Sequence, residues 1–569
     1  MLRNYLLTAW RNLKRQKIFS AINVLGLSIG MAAGMLIVQY VQFELSYDDF
    51  HQQASRIYRL TSERYREGKL TSRSAQAAPQ IGPLLQAQFP EVRRVALVAP
   101  WLGGVVTVSG SDGRPIAFNE KNVLFVDANF LRVFTHPLRS GTASALDQPN
   151  AVILTERSAR KYFGSQNPLG KTLTFENHNQ GHRYTVTVQG VCENGPANSH
   201  LPFDFLISRS VPGEAGGPSQ WSAYTYVQLS PRGDAGKLAA KLNPFLEKHG
   251  KGSEASIERF RWGLQPLSAI HLYSDLSEDT KGNGNGKTIW LLAGVAGLIL
   301  LIAYVNYINL STVKSMERAK EVGIRKVLGS GRSHLVRLFF LESLLLNLLA
   351  FALALTLVQV SLPAFGRFIG VALSFTLWKS DWLWPGLGCL ILGTLLSGLY
   401  PALVLSAYQP IQVLKGRMTT RRPGITLRKV LVVLQFTTCV ALLIGTLTVY
   451  RQVNYMRSKD LGMNMAQTLI VAAPQTRREN LPEENQFNQR VNTFQTEVLR
   501  YPGVTGVTHA SNVPGLEIDW TPRYFRTQNA PDEEAVYRPT MAIGPEFIDQ
   551  FGIQLIAGEK FTPRQAQRM

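Results

Sequence analysis

The sequence predicts an integral membrane protein of α-helical spans with α+β domains inserted outside the membrane. Three observations predict it. Charged residues make up only 17% of the 569 residues, yet they vanish from several long windows. Basic residues crowd the edges of those windows. Between the first two windows lies a long stretch in which short β-rich runs alternate with helical ones.

The chain opens on residues 1–17, where Leu2, Tyr5, Leu6, Ala9, Trp10 and Leu13 recur at helical spacing and the basic residues take the other side. This pattern predicts an amphipathic helix lying on the inner membrane surface. Segments 18–43, 288–313, 343–366, 382–414 and 430–450 contain no Lys, Arg, Asp or Glu. About 20 apolar residues cross a hydrocarbon core, so a wholly soluble protein is excluded. The predicted spans are 18–43, 288–313, 338–366, 382–406 and 430–450. The first is too long for the apolar region of a signal peptide and no small-residue cleavage site follows it, so it is expected to stay as an anchor. It carries Gly26, Gly30 and Gly34 at four-residue spacing, a stripe of small residues that allows another helix to approach closely.

Basic residues near short loops set membrane orientation, because Lys and Arg are retained on the cytoplasmic side. They concentrate in 1–17, in 314–337 and in 407–429, whereas 367–381 holds only Arg367 and Lys379 beside Asp381. The expected orientation is therefore an N-terminus in the cytoplasm, with 44–287, 367–381 and 451–569 outside, in a multi-pass protein of the cell (inner) membrane. The net charge of +21 is read as membrane topology; no nucleic-acid partner is expected, since no basic, aromatic-lined soluble face gathers these residues.

Segment 44–287 reads as a compact α+β domain. Strands are predicted at Gly104–Val108, Lys171–Phe175, Arg183–Val191 and Ala223–Leu229, and helices around Ile81–Phe89, Glu156–Phe163 and Lys237–Glu247. Thr155 is a predicted N-cap after the strand Val152-Ile153-Leu154, and Gly164 a predicted helix stop. An internal repeat links this domain to 451–569. Phe130, Phe134, Leu138 and Gly141 match Phe547, Phe551, Leu555 and Gly558 at a constant offset of 417, and Phe89-Pro90-Glu91-Val92 corresponds to Tyr501-Pro502-Gly503-Val504. On this reading the tail is an incomplete second extracytoplasmic domain, and the chain is expected to be truncated within its second repeat.

Several motifs carry less than they promise. Lys281–Thr288 reads KGNGNGKT, one residue short of a phosphate loop and preceded by no strand, so a flexible lead into the second span is expected. Gly26-Leu27-Ser28-Ile29-Gly30 fits the nucleophile pattern GxSxG, but Ser28 sits in mid-span where no triad can assemble. His178 and His182 flank residues unfriendly to a helix, without the glutamate of a zinc motif; a hairpin tip is expected and no metal site. His200 is expected to be a hydrogen-bonded loop histidine. The cysteines offer neither a disulfide framework nor a metal knuckle: Cys192 is alone in its soluble segment, and Cys389 and Cys439 lie in apolar windows.

The inner loop after the second span reads Glu317-Arg318-Ala319-Lys320-Glu321-Val322-Gly323-Ile324-Arg325-Lys326-Val327-Leu328-Gly329-Ser330, with Val322, Val327 and Leu328 set among charges. A short helix there could lie against the membrane or press into a partner. The run resembles the ERxxEIGIRKxxG segment of MacB/FtsX-like permeases, the membrane subunits of a class of ABC transport systems. Trp10-Arg11-Asn12-Leu13 with Asn23-Val24-Leu25-Gly26-Leu27 looks like that family's surface helix and first span. Gly398-Leu399-Tyr400-Pro401-Ala402 with Pro410 and Leu414-Lys415-Gly416 looks like the end of its fourth. The resemblance covers essentially the whole chain and implies that 44–287 is a MacB-like periplasmic core domain.

It also implies a coupling helix that docks into a cytoplasmic ATPase, carried by Glu317, Arg318, Glu321, Val322, Gly323, Ile324, Arg325, Lys326 and Gly329. The chain would be no enzyme and hold no cofactor, ATP being bound by a separate ABC-type ATPase subunit. Family members often have four spans and pair as dimers, so this chain resembles two such units fused. The implied function is transmission of ATP-driven motion to the extracytoplasmic domain, used by relatives for efflux of peptides or drugs, lipoprotein movement or envelope remodelling. Membrane lipid is an expected partner, and an extracytoplasmic adaptor or cell-wall enzyme a further one. The substrate-binding residues stay unassigned. The competing reading is a membrane-anchored sensor or scaffold for an extracytoplasmic ligand or cell-wall enzyme, without transport.

Overall fold

A computed structural model describes residues 10–11, 14–66, 68–100, 103–110, 114–177, 183–209, 223–249, 258–280, 283–317, 324, 326–328, 330–371, 373, 386–388, 390–391, 393–395, 423–471, 481–515, 523–525, 536–538 and 540–560. Four long helices match apolar windows: α1 (Lys17–Leu45), α2 (Gly286–Glu317), α3 (Arg332–Ile369) and α4 (Pro423–Ser458). Each contains a stretch long and apolar enough to cross a membrane. They outrun the chargeless windows, because amphipathic ends continue a helix without needing to be apolar. The helical ends therefore trim the expected 314–337 loop at both sides, to the interval between Glu317 and Arg332. The span expected at 382–406 has only 386–388, 390–391 and 393–395 among the described residues, all helical. Of the expected surface helix at 1–17, residues 10–11 and 14–15 are helical, with Lys14 Nζ 5.8 Å from the Trp10 ring.

The chain divides into two compact units, one of 1–100, 124–169 and 188–447, the other of 101–123, 170–187 and 448–569. The strands, in chain order, are β1 (Ile57–Arg66), β2 (Lys69–Ser74), β3 (Val92–Pro100), β4 (Gly104–Ser109), β5 (Pro115–Glu120), β6 (Val123–Val126), β7 (Leu138–Gly141), β8 (Ala151–Thr155), β9 (Thr172–Asn177), β10 (Arg183–Cys192), β11 (Phe205–Ser208), β12 (Tyr224–Leu229), β13 (Glu258–Pro266), β14 (Arg523–Phe525) and β15 (Val536–Arg538).

In the first unit the strand order is β13-β1-β12-β3-β6-β11-β8 and then the second half of β10, with β2 beside β1 and β7 beside β10. The pairs β1–β12, β1–β13, β12–β3, β3–β6 and β11–β8 are antiparallel. Its central strands are buried on both faces: β12 is buried along its whole length, Thr225 and Gln228 included, and β3 from Val95 to Ala99. Ala96, Val98, Tyr224 and Tyr226 join a core with Phe130, Phe134, Leu267 and Ile270 on one face. On the other, Val95, Leu97, Val227 and Leu229 pack with Leu85, Leu238, Leu242 and Leu246 of the helices Ile81–Gln88 and Ala235–His249. Gly82 lets the first of these helices close down: a Cβ there would stand 2.6 Å from Val95 Cγ1.

The predicted helix at Glu156–Phe163 forms with those bounds. Thr155 accepts from Ser158 N, and Gly164 ends the helix at φ +60. In the second unit the first half of β10 pairs antiparallel with β9, β9 with β4, and β4 with β5. The same unit holds the helix Leu481–Val498 and the hairpin β14–β15.

Candidate functional site at the roots of the spans

The site is built from the membrane outward. The glycine stripe of α1 faces α2: a Cβ on Gly26 would stand 3.7 Å from Asn306 Nδ2, on Gly30 2.6 Å from Ala303 Cβ, and on Gly34 3.0 Å from Leu300 Cγ. Larger residues would push the two helices apart. α3 packs on the same pair, so that Leu27, Met31, Tyr304, Tyr307, Leu346 and Ala350 share one core. Tyr307 OH donates to Ser343 Oγ at 3.2 Å, a polar tie inside this apolar packing.

Where α1 ends, its side chains seize the soluble domain at two places. Glu44 Oε2 meets His271 Nε2 at 2.8 Å, and Tyr47 stacks flat on the His271 ring, with centroids 3.3 Å apart and planes 5° apart. His271 belongs to the short helix Leu267–Tyr273, which follows β13 and precedes α2. The other grip is on the loop at 198–200. Asn198 Nδ2 donates to the Ser46 carbonyl at 2.8 Å, and Asp48 N donates to Asn198 O at 3.0 Å. Asp48 adopts φ +62 and turns its carboxylate inward. There its Oδ1 accepts from His200 N and Ser199 Oγ, at 3.2 and 3.3 Å, while Oδ2 lies 2.8 Å from His200 Nδ1. That last approach lies off the axis of a good hydrogen bond. The far nitrogen of His200 is 2.7 Å from Tyr226 OH, at the centre of the sheet.

His51 completes the cluster. Its Nδ1 accepts from Thr135 N at 3.0 Å, which leaves Nε2 to carry the proton, 3.8 Å from Asp48 Oδ1. Burial pushes His51 down to about 4 and His136 beside it to about 3, so both rings are neutral near pH 7. Burial alone would raise Asp48, but His200 and His51 outweigh it and hold the carboxylate below its ordinary range. Asp48 is therefore a fixed negative charge gripped on several sides. A third tie lies where the domain returns to α2. Arg59 of β1, fully buried, donates from NH2 to Gln265 Oε1 and Asp279 Oδ2, both at 2.8 Å, and to Ser274 Oγ at 3.1 Å. Asp279 also accepts from Arg59 NH1 and from Ser274 Oγ.

The run KGNGNGKT is corrected by its described part. Residues 281–282 lie outside the described residues, but Asn283–Thr288 is a packed joint, not a flexible lead. Asn285 Oδ1 accepts from Lys287 N and Thr288 N and so caps α2, and Gly284 N donates to His271 O at 2.7 Å. A Cβ on Gly284 would crowd Glu44 Oε2 at 3.0 Å, and one on Gly286 would overlap the Tyr273 ring. The glycines serve close packing, a use that composition does not distinguish from flexibility.

Of the expected coupling residues, Glu317 ends α2 and its side chain lies outside the described residues, as do Arg318, Glu321, Val322, Gly323, Arg325 and Gly329. Ile324 and Lys326 are described. Leu328 N donates to Ile324 O, one helical turn, and Ile324, Val327 and Leu328 are exposed. Ser28 of the GxSxG match is fully buried and donates to Leu25 O, so its hydroxyl is engaged within its own helix. His178 and His182 lie outside the described residues. Among the described residues no cluster of three His, Cys, Asp or Glu is placed to hold a metal. His200 is hydrogen-bonded in its loop, as expected of it. The ties Glu44–His271 and Arg59–Asp279 were not anticipated, because their partners lie 227 and 220 residues apart. The one linear hint was that Glu44 and Asp48 are the first charges after a chargeless window.

Comparison with known proteins agrees with this architecture. A family model described as MacB-like periplasmic core domain matches residues 20–245, and one described as FtsX-like permease C-terminal matches 293–410. The chain is 24% identical over 240 residues to the macrolide export ATP-binding/permease protein MacB of Aggregatibacter actinomycetemcomitans, covering 41% of this chain and 34% of that one. It is 24% identical over 208 residues to the ABC transporter permease YknZ of Bacillus subtilis, covering 35% and 45%. A solved domain of a permease protein from Porphyromonas gingivalis aligns at 20% identity and a TM-score of 0.32, over 38% of this chain and 91% of that one. The chain spans about a third of the length of the first MacB relative. Together the two family matches take in more than half of the chain, in the family's order, with the soluble domain following the first span: the chain belongs to the MacB/FtsX-like permease family.

Proposed function

We propose that this chain is the permease subunit of an ABC transport system, passing the ATP-driven motion of a separate cytoplasmic ATPase to its periplasmic core domain. The observation that carries this reading is the continuity of stiff contacts along its path. α1 and α2 pack through glycines, and at their outer ends Glu44–His271, Asp48–His200 and Arg59–Asp279 bind both helices to the domain. Transmission needs elements that move as bodies, and a soft linker would absorb the motion. A domain anchored merely to stay near the membrane has no need of three buried polar ties at the joint, since burying such groups is a poor source of net stability.

On this reading the N-terminus and the segment 317–329 face the cytoplasm, in agreement with the density of Lys and Arg there. Glu317, Arg318, Glu321, Val322, Gly323, Ile324, Arg325, Lys326 and Gly329 form the coupling element, and ATP is bound by the partner. The exposed Ile324, Val327 and Leu328 suit insertion into a groove of that partner. Cargo already outside the membrane is favoured, whether peptide, drug or lipoprotein, because the chargeless windows of the sequence offer no charged path across the bilayer. The test is co-purification in detergent with candidate ABC ATPases from the same source. The wild-type chain should retain its ATPase, and Glu321→Lys, or Gly323 replaced by a bulky residue, should release it. Equal recovery by all of them would remove the coupling assignment and favour a scaffold without transport.

A further inference from the structure

The soluble domain carries an arm that the transmission path does not use. β1 leaves its pairing with β12 after Arg59 and continues to Arg66 between β13 and β2. Residues 62–66, 69–74 and 258–262 thus form a three-stranded ribbon beyond the central sheet. By sequence it holds six basic residues, Arg64, Arg66, Lys69, Arg73, Arg259 and Arg261, against three acids, Glu63, Glu67 and Glu258.

The register places Arg261, Glu63 and Arg73 in one row across one face, and Arg259, Tyr65 and Leu70 in the next. Glu63 is already engaged, accepting from Arg73 Nε at 3.0 Å and from Tyr65 OH at 2.9 Å. Arg261 lies over the Tyr65 ring at 5.1 Å, and Leu70 is 44% exposed. Lys69 and Arg259 are exposed and have no acidic partner among the described residues. On the other face Arg64 lies 5.4 Å from the Phe260 ring, which is itself 42% exposed. Guanidinium groups braced on aromatic rings around a small apolar patch are the composition of an interaction hot spot. Stacking preorganises the arginine fork for carboxylates at a small entropic cost.

The geometry points to this arm as a docking surface for the acidic, carboxylate-rich face of a soluble protein partner outside the membrane. The charge excess sets the sign of the partner. The braced guanidinium forks favour carboxylates, and β1 runs eight residues from Tyr58, beside the buried Arg59 tie, to Arg66, a reach of about 26 Å at strand rise. The inference goes beyond the permease reading and does not depend on which ATPase drives the chain.

The full chain in lipid nanodiscs, titrated with fluorescent poly-L-glutamate as the acidic probe and with phosphatidylglycerol vesicles in parallel, tests it. The double variant Arg259→Glu/Arg261→Glu should weaken poly-L-glutamate binding by about tenfold or more. Arg232→Glu, an exposed reversal outside the arm, should leave it nearly unchanged. The charge-conserving Arg259→Lys/Arg261→Lys should fall between, showing that the fork counts as well as the charge. Equal losses from Arg232→Glu, or arm-dependent binding to the vesicles in place of the polypeptide, would overturn the assignment. ATPase co-purification by the arm variants should be normal, so failure here is separable from failure of the coupling loop.

Discussion

Where they are described, residues 89–141 and 501–558 show the same local turns but stand in different surroundings. Phe130 N donates to Asp127 O and Phe134 N to Phe130 O; at an offset of 417, Phe547 N donates to Gly544 O and Phe551 N to Phe547 O. The ring pairs tilt by 40° and 43°. Val98 pairs with Val126 in the first segment, and Ala510 bridges Ile543 in the second. Gly141 and Gly558 both have positive φ, +85 and +95. Yet Leu138 is partly buried against the core while Leu555 is 43% exposed, and Ile556 is fully exposed. Local sequence dictates the turn and the short helix in both; burial depends on the strands gathered around them.

The largest test of this contrast is Phe130→Ala, which should cost about 3–5 kcal/mol by thermal unfolding in detergent, as expected for an aromatic lost from a closed core. Hydrogen exchange should correspondingly protect 127–134 longer than 544–551; equal protection would mean that the two surroundings are equivalent. Acid is the next lever. His51 and His136 are held neutral in the folded domain, so the unfolded chain binds more protons between pH 6.5 and about 4. Their contribution is fully present above pH 6.5 and is lost as pH falls toward 4, by up to roughly 3 kcal/mol for His51. The repeat equivalent of His136 is Ile553, so exchange in 544–551 should not share this acid sensitivity.

Glycine separates the segments again. A Cβ on Gly141 would overlap the Gln189 carbonyl oxygen as well as strain φ, whereas Gly558 has open space. Gly141→Ala should cost about 2–3 kcal/mol and Gly558→Ala only about 1 kcal/mol. The smallest effect is expected of Thr155→Ala, about 1 kcal/mol for loss of the cap on Glu156–Phe163.

What the sequence disclosed follows the range of the forces involved. Chargeless windows located four spans, and alternation with cap residues located the helix at 156–163 between its strands, because those signals are local. The packed joint at Asn283–Thr288 was misread as flexible, since a glycine needed for close approach looks like a glycine needed for freedom. The ties of Glu44, Asp48 and Arg59 stayed hidden, since a buried charge declares its partner only when the chain has brought the two together.

The central claim, that the roots of the spans pass motion to the periplasmic core domain, is most directly tested by spin-label distances between α1 and β3. They should be measured with and without ATP, in a complex with the ATPase recovered by co-purification. Wild type should show an ATP-dependent change in distance, and His200→Phe with His271→Ala should abolish it while retaining the ATPase. An unaltered change in that double variant would contradict transmission through these ties.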